Sequence, residues 1–291
     1  MHSVFRQACN IETSEGALIT LLAPSAGNLP HGIRCRSGTL SSFEVLLRPG
    51  QTVVASADTL EVLEAALAVD LSGACCWSGE IGQYPIDARW SRVRHALTAV
   101  RSIVKARADG GFAPILLGGA AESSPLQDAM ARRLARCLPR LAIGGATSDA
   151  VATVQALAPL VGLGPGLTPS GDDFIVGYLA ALWCRAAHDA NVRSLLDALA
   201  PALHRLATHT NLISRQFILN AATGQFSERL VDVARAIAQP ELDIRIRTAY
   251  ALRTGHSSGA DSLVGLLFGL LPELITKPAA DAHADETEAE E

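Results

Sequence analysis

Lysine is nearly absent from this chain. Of its 24 basic residues only Lys105 and Lys277 are lysine, and the rest are arginine. A phosphate-loop, Schiff-base or kinase-type lysine would have to be one of these two, and neither stands in a suitable motif. Aromatic residues are also few, at 4%, and charged residues reach only 18%, while hydrophobic residues make up 49% of the 291. That balance excludes a disordered chain and describes one with a large core. Long apolar runs are missing as well. Phe174–Cys184 and Leu263–Pro272 are about half the length of a membrane span, which takes about twenty residues. The six cysteines form no CxxC pair, and the first ten residues lack the charged-then-apolar build of a secretion signal. The expectation is a cytoplasmic protein with reduced, buried thiols and no membrane partner.

The formal charge of −5 belongs mainly to one end. Asp281, Asp285, Glu286, Glu288, Glu290 and Glu291 are clustered there, and without them 23 acids face 24 bases. Residues 278–291 read as a solvated, disordered tail. No basic stripe stands out along the sequence, so nucleic acid is not an expected partner.

Short apolar or alternating runs fill the N-terminal third: Ala17–Ala23, Ile33–Arg36, Phe43–Arg48 and Thr52–Ser56. Turn dipeptides separate them at Gly27-Asn28, Ser37-Gly38 and Pro49-Gly50. Thr59–Leu63, Ala66–Leu71 and Ala74–Trp77 are further strand candidates, the first of which also fits a helix. From about Ala88 the period lengthens. Trp90, Val93, Leu97, Val100 and Val104 share one helical face, and Ser124-Pro125-Leu126-Gln127 supplies a cap, a first-turn proline and a capping-box glutamine. Helical patterns follow at 147–160, 192–207, 212–222, 227–238 and 243–253. The class expected is α+β: a small antiparallel β domain over 1–87, a larger helical domain over 88–277, then the acidic tail.

Two segments 88 residues apart resemble each other. Ser170-Gly-Asp-Asp-Phe-Ile-Val-Gly-Tyr-Leu-Ala-Ala-Leu182 and Ser258-Gly-Ala-Asp-Ser-Leu-Val-Gly-Leu-Leu-Phe-Gly-Leu270 are identical at seven of thirteen positions. Ser170 and Ser258 read as helix caps, with Asp173 and Asp261 three residues later complementing the dipole. Gly177 and Gly265 each cost about 1 kcal/mol against alanine inside a helix. Their recurrence implies helices packed closely against something, each other included. Capping accounts fully for Ser170, Asp173, Ser258 and Asp261, and is the simpler account of those four. It does not account for Asp172, whose counterpart is Ala260, nor for Gly162-Leu-Gly-Pro-Gly-Leu-Thr-Pro169 just upstream. A shaped glycine loop leading into a helix N-terminus is a ready anion site, and His256-Ser-Ser-Gly259 is a second.

The common nucleotide and metal patterns fail. Asp172 stands where a P-loop needs lysine, and Gly162-x-Gly164-x-Gly166 is not the dinucleotide spacing. There is no HExxH or GxSxG, and His204 and His209 are five apart, which disfavours zinc. Thr208-His-Thr-Asn-Leu-Ile-Ser-Arg215 admits two readings. It is either a loop with an Asn or Thr cap, or a place where Asn211 and Arg215, one turn apart, face one ligand.

Residues 162–174, Gly-Leu-Gly-Pro-Gly-Leu-Thr-Pro-Ser-Gly-Asp-Asp-Phe, and 255–261, Gly-His-Ser-Ser-Gly-Ala-Asp, resemble the AllH-like family, as do Asn211–Gly224 and Gly27-Asn28-Leu-Pro30. That family includes a subunit of the oxamate carbamoyltransferase of anaerobic allantoin breakdown. The resemblance implies an enzyme assembled from three different proteins that exchanges a carbamoyl group between oxamate and phosphate, giving oxalurate or carbamoyl phosphate. The Ser-Thr-Arg-Thr phosphate motif of ordinary transcarbamoylases is absent, so such a site would be built differently. On this reading Gly164, Gly166, Thr168, Ser170, Gly171, Ser257, Ser258 and Gly259 cradle a small anion. Arg215 clamps it beside Asn211, and Asp172 or His256 handles the proton. Asp172, with Asp173, is also where a divalent metal would be held. The alternatives are a non-catalytic subunit of such a complex, or a stand-alone enzyme on another small anionic amide or phosphorylated compound.

Overall fold

The computed structural model describes residues 1–36, 42–65, 67–118 and 124–276. The Ser37-Gly38 turn and the acidic tail 278–291 lie outside the described residues. Strands β1 (Ser3–Val4), β2 (Ala8–Glu12), β3 (Leu18–Leu22) and β4 (Gly32–Arg34) form one sheet. After a single-turn helix α1 (Phe43–Leu46), strands β5 (Val53–Ala55), β6 (Thr59–Val62) and β7 (Leu67–Asp70) form a second. The remainder is helical: α2 (Ser91–Arg107), α3 (Ala113–Leu117), α4 (Pro125–Thr147), α5 (Ala150–Leu157) and α6 (Ser170–Ala186) come first. Then follow α7 (Ala190–Leu206), α8 (Leu212–Ala222), α9 (Glu228–Ala238), α10 (Ile244–Ala251), α11 (Ser258–Leu270) and α12 (Glu273–Thr276). The class is α+β, strands before helices.

Several local expectations need correction. The first sheet is mixed, because β4 pairs parallel to β3 with Thr20 opposite Gly32. Phe43–Arg48 is not a strand. Phe43 and Leu47, four apart, are both buried while Val45 is 69% exposed, which is a helical rather than an alternating face. Ala74–Trp77 forms no strand. Strand β2 was hidden by Asn10, a residue depleted in strands. Here Asn10 is buried and accepts a hydrogen bond from Thr20 Oγ1 at 2.7 Å. Of the cysteines, Cys9, Cys137 and Cys184 are buried, but Cys75 and Cys76 are exposed. No helix among the described residues is long and apolar enough to cross a membrane.

The strands and helices have separate apolar clusters, and Ile81 and Ile86 belong to the helical one. The first sheet is held to the helices by polar contacts. His31 Nδ1 pairs with Asn220 Nδ2 at 2.7 Å, its ring lies edge-on to Phe217, and Asn28 N donates to Glu228 Oε2 at 2.7 Å. Burial pulls the His31 pKa down to about 4, so the ring is a neutral acceptor for the Asn220 amide.

Helices α6 and α11, the two matching segments, are buried along nearly their whole length and pack side by side. Their glycines face each other. A Cβ on Gly177 would fall into the carbonyl oxygen of Ser262, and one on Gly265 into that of Phe174. Ser262 and Phe174 are themselves equivalent positions, so the contact is reciprocal. Further along, Gly269 meets Ala181, so both helices advance in the same direction. Parallel packing brings two positive dipole ends together. Asp172, Asp173 and Asp261 sit in those first turns.

The serines do not cap their own helices, as the sequence suggested. The cap positions are Pro169 and Ser257, and neither makes a side-chain cap bond. Instead the acids and serines cross between helices. Ser258 Oγ donates to Asp173 Oδ2 at 2.6 Å, while the Ser170 hydroxyl approaches Asp261. Asp261 Oδ1 accepts from Phe112 N at 2.6 Å, which ties in the turn before α3. Its Oδ2 is buried and has no hydrogen-bond partner among the described residues. Burial pushes the Asp261 pKa up to about 7.

Two outcomes are expected. Gly177→Ala forces the backbones apart and should cost about 3 kcal/mol or more in urea unfolding. Gly73→Ala, at a position with open space around it, should stay within about 0.5 kcal/mol. Equal effects would refute the close-contact account. Asp261 keeps a proton in the fold that the unfolded chain releases near pH 4. Native chains therefore bind the extra proton between about pH 4 and pH 7, and stability falls as pH rises through that window. Asp261→Asn retains the acceptor for Phe112 N and lacks this titration, so its stability relative to wild type should improve between pH 5 and 7.5. Parallel pH profiles would show that Asp261 is ionised in the fold.

Candidate functional site

Between the first sheet and the N-terminal ends of α6 and α11 lies a cavity of about 330 Å³. Its polar lining comes from both sides: Asn10 and Thr20 from the sheet, Thr168 and Asp173 from the glycine loop and α6, Ser258 and Gly259 from α11. Arg229, Thr254 and Gln225 complete it, and the rest of the wall is largely apolar, including Val176, Phe217 and Leu263.

One chain of hydroxyls runs along this wall. Thr168 Oγ1 is 3.1 Å from Ser258 Oγ, and Ser258 Oγ donates to Asp173 Oδ2. Burial raises the Asp173 pKa well above its ordinary value. The Ser258 hydroxyl opposes that shift, and nearby Asp261 and Asp172 add to it. Arg229 is the cation of the cavity. It enters from the first turn of α9, its guanidinium stacks over the Tyr250 ring at 4.5 Å, and Nη1 donates to Thr254 Oγ1 at 3.1 Å. Its Nε is buried and has no acceptor among the described residues. That N–H lies against Gly27 rather than in the cavity; it is the guanidinium as a whole that brings positive charge to the wall and suits it to an oxyanion.

Of the residues singled out in the sequence, the structure brings Thr168, Ser258 and Gly259 together here, with Asp173. The others are elsewhere. Asp172 is buried and holds loops: Oδ1 accepts from Gly162 N at 2.8 Å and Oδ2 from Thr210 Oγ1 at 2.5 Å. Burial raises its pKa while these donors pull it back. Asp172 and Asp173 thus spend their oxygens in different directions and do not form a chelating pair. No cluster of three or more metal-type ligands occurs among the described residues.

The backbone cradle is also largely spent. Gly171 N donates to Leu163 O, Asp172 N and Asp173 N to Pro169 O, and Gly259 N to Thr254 O. Gly164 (φ +120°) and Gly166 (φ +92°) shape the loop, and Gly164 lies against the Ser170 backbone; neither lines the cavity. Ser170 and Ser257 turn to Asp261 on the other side of the helix pair. Asn211 is a helix cap, its Oδ1 accepting from Ile213 N and Ser214 N, so the simpler reading of that segment holds. Arg215 is exposed, and His256 is exposed beside Gly110; neither lines the cavity.

Sequence reasoning missed Arg229, Asn10 and Thr20. Arg229 sits on an ordinary amphipathic helix, and the two sheet residues carry no motif. Their role is visible only once the sheet is docked.

No solved structure matches the chain. Residues 1–76 match the family model described as the AllH family N-terminal domain. Residues 160–270, which contain the glycine loop, α6, the Arg229 helix and α11, match the model described as oxamate carbamoyltransferase subunit AllH. The two matched regions are the two walls of the cavity, and the chain belongs to the AllH family.

Proposed function

We propose that this chain is a subunit of an oxamate carbamoyltransferase-like enzyme and that the cavity between the first sheet and helices α6 and α11 binds the small anionic amide. The family name supports a carbamoyltransferase subunit acting with other subunits. The observation that carries the site is the Arg229 side chain lining the same cavity as the Thr168–Ser258–Asp173 chain. The guanidinium holds the carboxylate of oxamate or oxalurate by charge-assisted hydrogen bonding. The amide nitrogen then lies toward the hydroxyls. In transfer, that nitrogen forms a bond to the carbamoyl carbon of carbamoyl phosphate and the carbon–oxygen bond to phosphate breaks. The nitrogen's proton passes through the hydroxyl chain to the Asp173 carboxylate, and inorganic phosphate leaves. Burial makes that carboxylate a stronger base than an exposed one, which suits it to the task.

The walls favour one further reading. Val176, Phe217 and Leu263 offer apolar surface that oxamate cannot use. A larger anionic amide with a hydrocarbon portion fits the same Arg229 and hydroxyl groups, and the chain would then act as a different enzyme of the same reaction type.

The test is kinetic, on the enzyme assembled with its partner subunits. Arg229→Gln should raise KM for oxamate by about 10–100-fold, the loss of one charged hydrogen bond. Ser258→Ala should lower kcat by about 100-fold or more. Because Asp173 must be ionised to accept the proton, wild-type kcat should rise with pH on a limb above the usual carboxylate range. Unchanged kinetics in both variants would leave the cavity a structural void and the chain a non-catalytic subunit. A preference for an amide with an alkyl group over oxamate would favour the second substrate.

A further inference from the structure

On α4 the sequence reading needs one more correction. A basic stripe is present: Arg132, Arg133, Arg136 and Arg140 fall within nine residues, and all four are exposed. Arg133, Arg136 and Arg140 converge on a concavity of about 300 Å³ between α4 and the segment from α5 to Pro159. Gln155, Ala156, Pro159 and the buried Cys137 complete its wall, and no acidic side chain contributes. We propose that this concavity is a binding site for a small anion carrying two or more phosphate groups, separate from the Arg229 cavity.

Three observations carry the proposal. First, the guanidiniums are close together without neutralisation. Arg133 Nη1 donates to the carbonyl oxygen of Pro159 at 3.1 Å, and Arg136 and Arg140 have no hydrogen bond or ion pair among the described residues. Like charges spaced three and four apart on a helix repel, by a few tenths of a kcal/mol per pair. Secondly, all three line one concavity together with the buried Cys137. Each acts on the Cys137 thiol, favouring its charged form against a burial that raises its pKa. Thirdly, the geometry is concave rather than spread along a face, with the Gln155 amide as a neutral donor on the far side. Guanidinium forks bind phosphate oxygens two at a time, and the volume lies at the small end of ligand pockets. A polyphosphate uses all three forks at once, whereas a single phosphate reaches only part of them.

The experiment is calorimetric titration of the full chain at low salt with inorganic pyrophosphate and, separately, with inorganic phosphate. Pyrophosphate should bind at least tenfold more tightly than phosphate. The double variant Arg136→Gln, Arg140→Gln should lose at least tenfold of the pyrophosphate affinity, while Arg229→Gln leaves it unchanged. Because the altered residues are exposed and mutually repelling, the double variant's Tm should equal or exceed that of wild type, which confirms that it is folded. Absence of pyrophosphate binding overturns the proposal, as does undiminished binding in the double variant. Loss of binding in Arg229→Gln alone also overturns it, because the anion then sits in the Ser258 cavity. That result would leave the reading of the Ser258 cavity standing.

Discussion

The closest constraint in this fold is backbone against backbone. Helices α6 and α11 touch where Gly177 faces the Ser262 carbonyl and Gly265 faces the Phe174 carbonyl, with no room for even one methyl group at either point. Glycine is unfavourable inside a helix, and here close packing offsets that cost. Because the contact is parallel, it also brings two helix N-termini to one end of the molecule. The hydroxyl and carboxylate chain of the candidate site follows from that juxtaposition. Ser258 of α11 bonds across to Asp173 of α6 instead of capping its own helix.

Crossing has a chemical consequence that capping would not. A capping serine spends its oxygen on a backbone N–H. Ser258 instead donates to a buried carboxylate and remains within reach of Thr168 at the cavity wall. The twin arrangement on the other side, Ser170 with Asp261, is closed off by the turn at Gly111 and Phe112. One half of the pseudo-symmetric pair therefore supports structure and the other opens to a cavity. The difference arises from what packs on each side, not from the repeated residues themselves. On the open side the first sheet forms the opposite wall, held there by a neutral His31 against Asn220.

The helices were legible in the sequence because their signals are local. The periodic face of α2, the Ser124 cap of α4, which accepts from Gln127 N, and the Asn211 cap of α8 are where the pattern puts them. The glycine match between α6 and α11 announced close packing, and the partner is each helix's own counterpart. What failed was non-local. Whether Ser170 bonds to its own helix or to a neighbour depends on a second helix 88 residues away. Asp172 reads as a free acid beside a glycine loop, yet Gly162 and Thr210 consume both oxygens. The sequence pointed to the glycine loop and the two helix ends, which border the cavity, and to Arg215, which does not line it; the arginine that does is Arg229 on α9. Arg229 acquires its meaning from the Tyr250 ring beneath it and from the cavity beside it, neither of which leaves a mark in the adjacent sequence.

The arginine fork has a structural use at the other end of the same helix pair. Parallel helices gather their negative dipole ends as surely as their positive ones, and the exposed carbonyls there need donors. Arg185, in the last turn of α6, sends Nη1 to the Gly269 carbonyl near the end of α11 and Nη2 to the Gly145 carbonyl of α4. One planar fork thus serves two helices while bringing a positive charge to the place where both dipoles want it. An ammonium group is a point charge on a flexible stem and does not span two carbonyls in this fixed way. The same use recurs where Arg101 bonds to the Leu274 carbonyl and Arg133 to that of Pro159. At these three positions arginine is a structural donor to backbone oxygen. Arg229, Arg136 and Arg140 differ from them in lining concave surface: Arg229 bonds to a hydroxyl and stacks on a ring at the cavity wall, and Arg136 and Arg140 face the concavity beside α4.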